Sequence, residues 1–359
     1  MNKKLKVIQL IDSLNPGGAE MMAVNIANGL AENGVESYLC ATRLEGDLIA
    51  KINNDVGYLF LNKKTSLDIK AFIRLRKFIK KNQISVIHAH SSSYFIAVLI
   101  KLVYYNVKII WHDHYGNSEN LKDRNMFLLK IMSNLFNVVI SVNQLLEKWA
   151  MHNLRVKKVY VLSNFADFNS DFQKVTFLKG VEGKRIICLA NLREQKDHIN
   201  LLNAFKNIQK KHPAWTLHLV GVDLKDNYSN EIKYFISECQ LTNSIFLYGN
   251  CQDIPFILSQ VSIGVLSSKS EGLPVALLEY GLAKLPVVVT DVGDCSNVVT
   301  DEVNGLVVPP NNSKQLEEAI LKQIVHKNSA KIMGEKLFET VVSKFSKENY
   351  ISKLIKIYN

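Results

Sequence analysis

The sequence predicts an α/β protein of two doubly wound, Rossmann-like domains that face each other across a cleft. Three observations predict it. The chain has 359 residues, more than one hydrophobic core usually supports. Short apolar runs of the parallel-sheet type alternate with amphipathic stretches, and the alternation occurs twice. Between the two series lies a polar stretch, DFNSDFQKVTFLKGVEGK at 167–184, which breaks the rhythm and reads as a junction. The expected boundaries are 1–167 and 168–340, with 341–359 a C-terminal helix packing back on the first domain. A cleft between two lobes is a usual place for a ligand site.

The first series opens with LKVIQLID, a buried strand, and the turn SLNPGGAE. A helix follows over MMAVNIANGLAENG and stops at Gly34. ESYLCAT and GYLFL are strands, 63–82 a basic helix, and ISVIHAH a strand ending in His88 and His90. After a helix near 93–103, VKIIW is a strand running into HDHYGNSE. NMFLLKIMSNLF and NQLLEKWAMHN read as helices on either side of the strand VVISV, and KVYVLSNFAD is a final strand and loop. The second series begins with RIICLAN and continues through a loop and helix at 191–213. It then gives strands WTLHLVG, SIFLYG, SIGVLS, PVVVTD and GLVVPP, with helices near 229–239 and 253–259, a further helix after Glu271, and three more near 313–328, 329–342 and 346–358.

Composition excludes several classes. The longest apolar stretch, Tyr94 to Trp111, is broken by Lys101, Asn106 and Lys108 and reads as helix plus strand rather than a membrane span. VIQLI is too short for a signal-peptide core, which predicts a cytoplasmic protein. Five isolated cysteines without a CxxC pair argue against a disulfide scaffold or a zinc site. The net charge of +11 is concentrated in residues 1–170, which hold 22 Lys and Arg against 13 Asp and Glu. Much of it sits in the 63–82 helix, where Ile69, Phe72, Ile73, Arg76 and Ile79 form a mostly apolar stripe among lysines. Such a helix could lie on an anionic bilayer or pack as an ordinary surface helix. No helix-turn-helix, zinc finger or aromatic-studded basic strand pair supports nucleic-acid binding.

The chemistry-bearing residues sit at strand ends. SKSEGLPVALLEYG, 268–281, places Glu271 and Glu279 eight residues apart between two apolar runs. Open α/β sheets bind ligands at such an edge, and carboxylates accepting several hydrogen bonds suit a ribose or a sugar. A capping Glu271 and a solvent-facing Glu279 are the plain alternative. Gly17 and Gly18 follow the first strand, where the lack of a Cβ lets backbone N–H groups approach a phosphate, or they form a plain loop. They lack GxGxxG spacing and a Lys-Ser/Thr ending, so neither a dinucleotide fingerprint nor a P-loop is supported. Arg193 and Lys196 lie between a strand and a helix. His112, Asp113 and His114 follow another strand, and with His88 and His90 could cluster. None of these spacings is an HExxH helix or a facial triad, and no metal is expected.

In this order the motifs resemble glycosyltransferase family 4, over nearly the whole chain. Ser268, Glu271, Gly272 and Pro274 match the family's SxxEGxP context and Glu279 its second glutamate. NLREQKD matches the phosphate-binding loop, TDVGDCSNVVTDEVNGLVVPP the end of the C-terminal lobe, and NPGGAE the glycine-rich first loop. His90 and His114 match family positions too. The resemblance implies the two-lobed GT-B architecture and metal-free, configuration-retaining transfer from a nucleotide-diphosphate sugar, UDP being the commonest carrier and GDP also used. It implies Lys196 and an arginine on the departing diphosphate, Glu279 on the ribose, Glu271 by the transferred sugar, and His114 beside the reacting sugar. The donor is further expected to meet Gly17, Gly18 and the backbone of Gly272 and Leu273. The chain departs from the pattern at Asn191, where many members place the arginine that Arg193 would replace. It departs again at Gly293-Asp294 for a glycine pair, and at Asn297 for a glutamate. His112 stands where Thr is common. The expected acceptor is a glycan or polyprenyl-linked glycan, in surface-polysaccharide synthesis peripheral to the cytoplasmic face of the inner membrane. An epimerase or phosphorylase of the same build, or a non-catalytic nucleotide-sugar-binding subunit, are the alternatives.

Overall fold

A computed structural model describes residues 4–115, 121, 124, 126–166 and 174–359. It divides into two compact units, Met1–Phe165 with Lys347–Asn359, and Ala166–Ser346. The start of the expected junction, 167–173, lies outside the described residues, as does the GNSE segment, 116–119.

In the first unit the chain runs β1 (Lys6–Ser13), α1 (Gly18–Glu32), β2 (Glu36–Leu44), β3 (Gly57–Phe60), α2 (Ile69–Asn82), β4 (Val86–His90), α3 (Tyr94–Val103), β5 (Lys108–Asp113), α4 (Phe127–Met132), β6 (Val138–Ser141), α5 (Gln144–Asn153) and β7 (Val159–Val161). The seven strands are parallel in the order β3-β2-β1-β4-β5-β6-β7. The order reverses beside β1, the topological position at which open sheets hold ligands. All of β4 and nearly all of β5 are buried, which is why these segments read as unbroken apolar runs rather than alternating ones.

The second unit runs β8 (Arg185–Leu189), α6 (His198–Lys211), β9 (Thr216–Val220), α7 (Asn227–Glu238), β10 (Ile245–Gly249), α8 (Ile254–Leu258), β11 (Ile263–Leu266), α9 (Val275–Leu282), β12 (Val287–Thr290), α10 (Cys295–Val298), β13 (Leu306–Val308), α11 (Ser313–Val325) and α12 (Lys327–Lys344). Its six strands are parallel in the order β10-β9-β8-β11-β12-β13. The last helix, α13 (Lys347–Tyr358), belongs to the first unit, where Tyr350, Ile351, Leu354 and Tyr358 join Met22, Ile26 and Leu30 of α1 in one cluster.

The basic helix α2 differs from the expected stripe. Its buried residues are Ala71, Leu75 and Ile79, spaced four apart, with Phe72 and Phe78 packed partly beside them. Ile69 and Ile73 are exposed, at 72% and 44%, on the side that also carries the lysines. The turn of the helix selects the small Ala71 for close approach to the sheet and leaves the bulkier pair outside. Asp68 caps it by accepting from Ala71 N at 2.9 Å.

Candidate active site

In the second unit three loops meet at the carboxyl edge of the sheet. The first follows β8 and makes a single 3-10 turn, Glu194–Lys196, after which Asp197 takes a left-handed φ of 48° and starts α6. The second joins β11 to α9 and carries Ser268 to Pro274. The two are stitched together by Lys269 N donating to the Gln195 carbonyl at 2.8 Å, and by Ser267 Oγ, which lies 3.1 Å from the carbonyls of both Lys196 and Asp197. The third follows β12. Asp294 N donates to the Gly272 carbonyl at 2.9 Å, and Gly293 has φ of 55° with its Cα so close that a Cβ would lie 2.2 Å from the Glu271 carbonyl oxygen. Only glycine serves at 293.

This stitching brings together two of the expected residues. Lys196 Nζ donates to Glu271 Oε1 at 2.6 Å and Oε2 at 2.8 Å, and Ser268 Oγ donates to Oε1 at 2.7 Å. The side chains are 19% and 6% exposed, so the pair is largely withdrawn from water. An ammonium thus stands at a sheet edge with a carboxylate orienting it. Cys188 and Cys295 lie beside the pair, and burial raises both thiols well above the ordinary range, which keeps them neutral.

The other expected residues of this unit lie on the same loops or on α9. Arg193 is exposed just before the 3-10 turn, and its carbonyl accepts from Lys196 N at 2.9 Å. Asn191 has a structural task, its Oδ1 accepting from Val222 N at 2.9 Å and so tying the ends of β8 and β9. Gly272 is partly exposed and Leu273 is core. Glu279 is half-buried on α9, next to Tyr280, whose fully buried hydroxyl accepts from Leu189 N at 2.7 Å and fixes the helix against β8. In the first unit Gly17 is the N-cap of α1 and Gly18 its first residue. A Cβ on Gly17 would meet the flexible end of Glu20, and one on Gly18 would meet nothing, so packing alone does not demand glycine at 18.

His114 belongs to the first unit and sits in a network. His88 and His90 lie two apart on β4, His112 and His114 two apart at the end of β5, and register sets His90 opposite His112. The period of two puts all four rings on one face. His90 Nδ1 is 2.9 Å from His114 Nε2, and His88 Nε2 is 3.2 Å from His112 Nδ1. The network continues to Gln9 and Tyr358, and His112 Nε2 is buried with no hydrogen-bond partner among the described residues. His88, His90 and His112 are close enough to share a metal ion. Their rings stack within 15° to 34° of parallel. Between His112 and His114, Asp113 is 1% exposed and held by Arg124 through two bonds of 2.7 and 2.8 Å. The guanidinium in turn lies over Trp149 at 4.1 Å and Tyr115 at 4.5 Å.

Burial holds these imidazoles neutral, pulling His88 down to about 3 and His90, His112 and His114 also below the ordinary 6.5. As pH falls through 6.5 the unfolded chain protonates its histidines and the folded one does not, so stability is full above 6.5 and declines below it. Each histidine so held contributes a loss of about 1.4 kcal/mol per pH unit. The urea midpoint should therefore be flat near neutral pH and drop steeply from about 6.5 toward 4. A midpoint unchanged across that range would show that the histidines charge freely in the fold.

Residues 16–170 match the family described as Glycosyltransferase Family 4, and residues 169–339 match Glycosyl transferases group 1. The chain is 26% identical over 298 residues to the O-antigen biosynthesis glycosyltransferase WbnH of Escherichia coli, covering 81% of this chain and 82% of that one. It is 23% identical over 314 residues to the Escherichia coli UDP-Gal:alpha-D-GlcNAc-diphosphoundecaprenol alpha-1,3-galactosyltransferase, covering 81% and 79%. Its fold matches HepE of Anabaena, solved with UDP and glucose, at a TM-score of 0.82 and 17% identity over 98% of this chain and 99% of that one.

Proposed function

Because the chain belongs to glycosyltransferase family 4, with a GT-B fold, we propose that it is a retaining, metal-independent transferase. It moves a sugar from a nucleotide diphosphate, UDP before GDP, to a glycan or polyprenyl-linked acceptor in cell-surface polysaccharide synthesis. The observation that carries this reading is the Lys196–Glu271–Ser268 constellation at the sheet edge. A diphosphate gains negative charge as the sugar leaves, and a preorganised ammonium is worth most where water is excluded. Lys196 meets that charge, and the exposed Arg193 and the backbone N–H groups of Gly272 and Leu273 add donors. Glu271 takes hydroxyls of the sugar and Glu279 those of the ribose. In the first unit, Gly17 and Gly18 open the start of α1 to the donor.

The state of Asp113 bears on how retention would occur, since it disfavours a covalent intermediate on that residue. It is the carboxylate nearest His114 in sequence, and Arg124 engages both its oxygens. It is thereby a poor nucleophile. The bond from the anomeric carbon to the phosphate oxygen breaks with its electron pair going to the diphosphate. The acceptor hydroxyl then attacks from the same face and passes its proton to the departing phosphate oxygen, so configuration is kept. Relatives named for O-antigen and diphosphoundecaprenol substrates support the acceptor class. They do not favour the epimerase, phosphorylase or binding-subunit readings. The direct test is a screen of nucleotide sugars for hydrolysis and transfer, with product detection. Turnover of none of them, with the protein folded, would remove the enzymatic reading.

Contact with an anionic membrane surface is part of the proposal. No helix among the described residues is long and apolar enough to cross a bilayer. The exposed side of α2 instead combines Ile69 and Ile73 with Lys70, Lys77, Lys80 and Lys81. Replacing Lys77, Lys80 and Lys81 by Gln should weaken binding to anionic vesicles by about 1 kcal/mol per charge while leaving turnover of a soluble donor unchanged. Equal co-sedimentation of the two proteins would reduce α2 to an ordinary surface helix.

A further inference from the structure

Gln9 lies on β1, fully buried, opposite His88 of β4. Its amide makes two hydrogen bonds of opposite sense. Nε2 donates to the Tyr358 hydroxyl at 3.4 Å, and Oε1 faces His90 Nε2 at 2.9 Å. A carbonyl oxygen only accepts, so His90 carries its proton on Nε2 and presents a lone pair at Nδ1. That Nδ1 is 2.9 Å from His114 Nε2, which must then be the donor. His114 therefore also carries its proton on Nε2, and its Nδ1 is an acceptor. The second branch runs from Gln9 through the Tyr358 hydroxyl, 2.6 Å from His88 Nδ1, to His112 Nδ1, 3.2 Å from His88 Nε2. One amide thus sets the direction of the hydrogen bonds that lead to His114.

We propose that Gln9 and His90 are positioning residues that hold His114 as its neutral Nε2–H tautomer, so that Nδ1 accepts a hydrogen bond from a hydroxyl or N–H of the donor sugar. This rests on the reading of His114 as the residue beside that sugar. The class of sugar follows from the chemistry. The group meeting His114 must have a proton to give, which a carboxylate does not. The arrangement also explains why a polar amide occupies the middle of a buried strand otherwise made of Val7, Ile8, Leu10 and Ile11. A side chain without an acceptor at 9 would leave His90 free to take either tautomer, and His114 with it.

The test combines a tautomer measurement with kinetics on the full chain. Nitrogen-15 NMR of the histidine rings near neutral pH, without substrate, should show His114 as Nε2–H. In Gln9→Leu that preference should be lost, and kcat should fall about tenfold or more with the donor KM within about twofold. Gln9→Glu keeps an acceptor toward His90 and should recover the Nε2–H form of His114 and most of the lost kcat. Packing alone would not distinguish Leu from Glu in that direction, since Leu is the better-tolerated buried side chain. Nδ1–H or imidazolium on His114 in the wild type would overturn the proposal. So would a wild-type kcat in Gln9→Leu with the tautomer changed. Full activity in His114→Ala would instead remove the reading of His114 on which the proposal depends, and the tautomer assignment would stand without it.

Discussion

Lys196→Ala should lower turnover by about 10²–10³-fold, the loss seen when one preorganised donor to a developing charge is removed. It should also destabilise the protein, by about 3–5 kcal/mol, because it leaves the Glu271 carboxylate buried without its cation. The second effect would confuse the first, and the geometry supplies the control. Glu271 is held by Lys196 and by Ser268, at 2.6 and 2.7 Å to the same oxygen. The pair Lys196→Met with Glu271→Gln removes both charges together and keeps a partner for the Ser268 hydroxyl. Stability should return toward the wild type, and turnover should stay low. If the double variant turned over normally, the ion pair would be a brace between two loops and the diphosphate would be met elsewhere.

His114→Ala is the second large effect. It should lower kcat by about 10²–10⁴-fold while changing donor affinity little, because the role proposed for the residue is on charge that develops as the sugar leaves. His114 is partly exposed at the end of β5, whereas His88, His90 and His112 are fully buried. Its removal should consequently cost less stability than removal of any of the other three, measured by denaturant midpoint. A parallel fall in donor affinity and kcat would make His114 a binding residue, and an unchanged kcat would take it out of the reaction.

These two predictions draw on features of unequal visibility in the sequence. The histidines were legible. His88 and His90, and His112 and His114, are each spaced two apart at the ends of predicted neighbouring strands, and a period of two fixes a shared face. What they bond to was not, because Gln9 and Tyr358 come from opposite ends of the chain and meet only when α13 packs on α1. Glu271 and Glu279 were legible from flanking strand and loop signals. The engagement of Glu271 by Lys196, 75 residues away, was not, because no local spacing encodes the stitching of loops by Lys269, Ser267 and Gly293. The clamp of Asp113 by Arg124 has no local signal for a different reason. The aromatic rings of Trp111, Tyr115 and Trp149 that lie against the guanidinium are dispersed in sequence.

Helix α2 shows the same limit in the fold. Its helical character and basic charge could be read directly, but the choice of inner face could not. Two apolar stripes compete in IKAFIRLRKFIKKN, and only contact with the sheet selects Ala71, Leu75 and Ile79 over Ile69 and Ile73. The four-residue helix α10 likewise had no periodic signal to announce it.

Transfer of a sugar with retention and without a metal is the proposal on which the residue roles above rest. The most direct measurement is the anomeric configuration of the product formed from an α-linked nucleotide sugar, read by proton NMR, in a reaction run with excess chelator. An α linkage and an undiminished rate are expected. A β linkage, or activity that vanishes with chelator and returns with a divalent cation, would contradict the proposal.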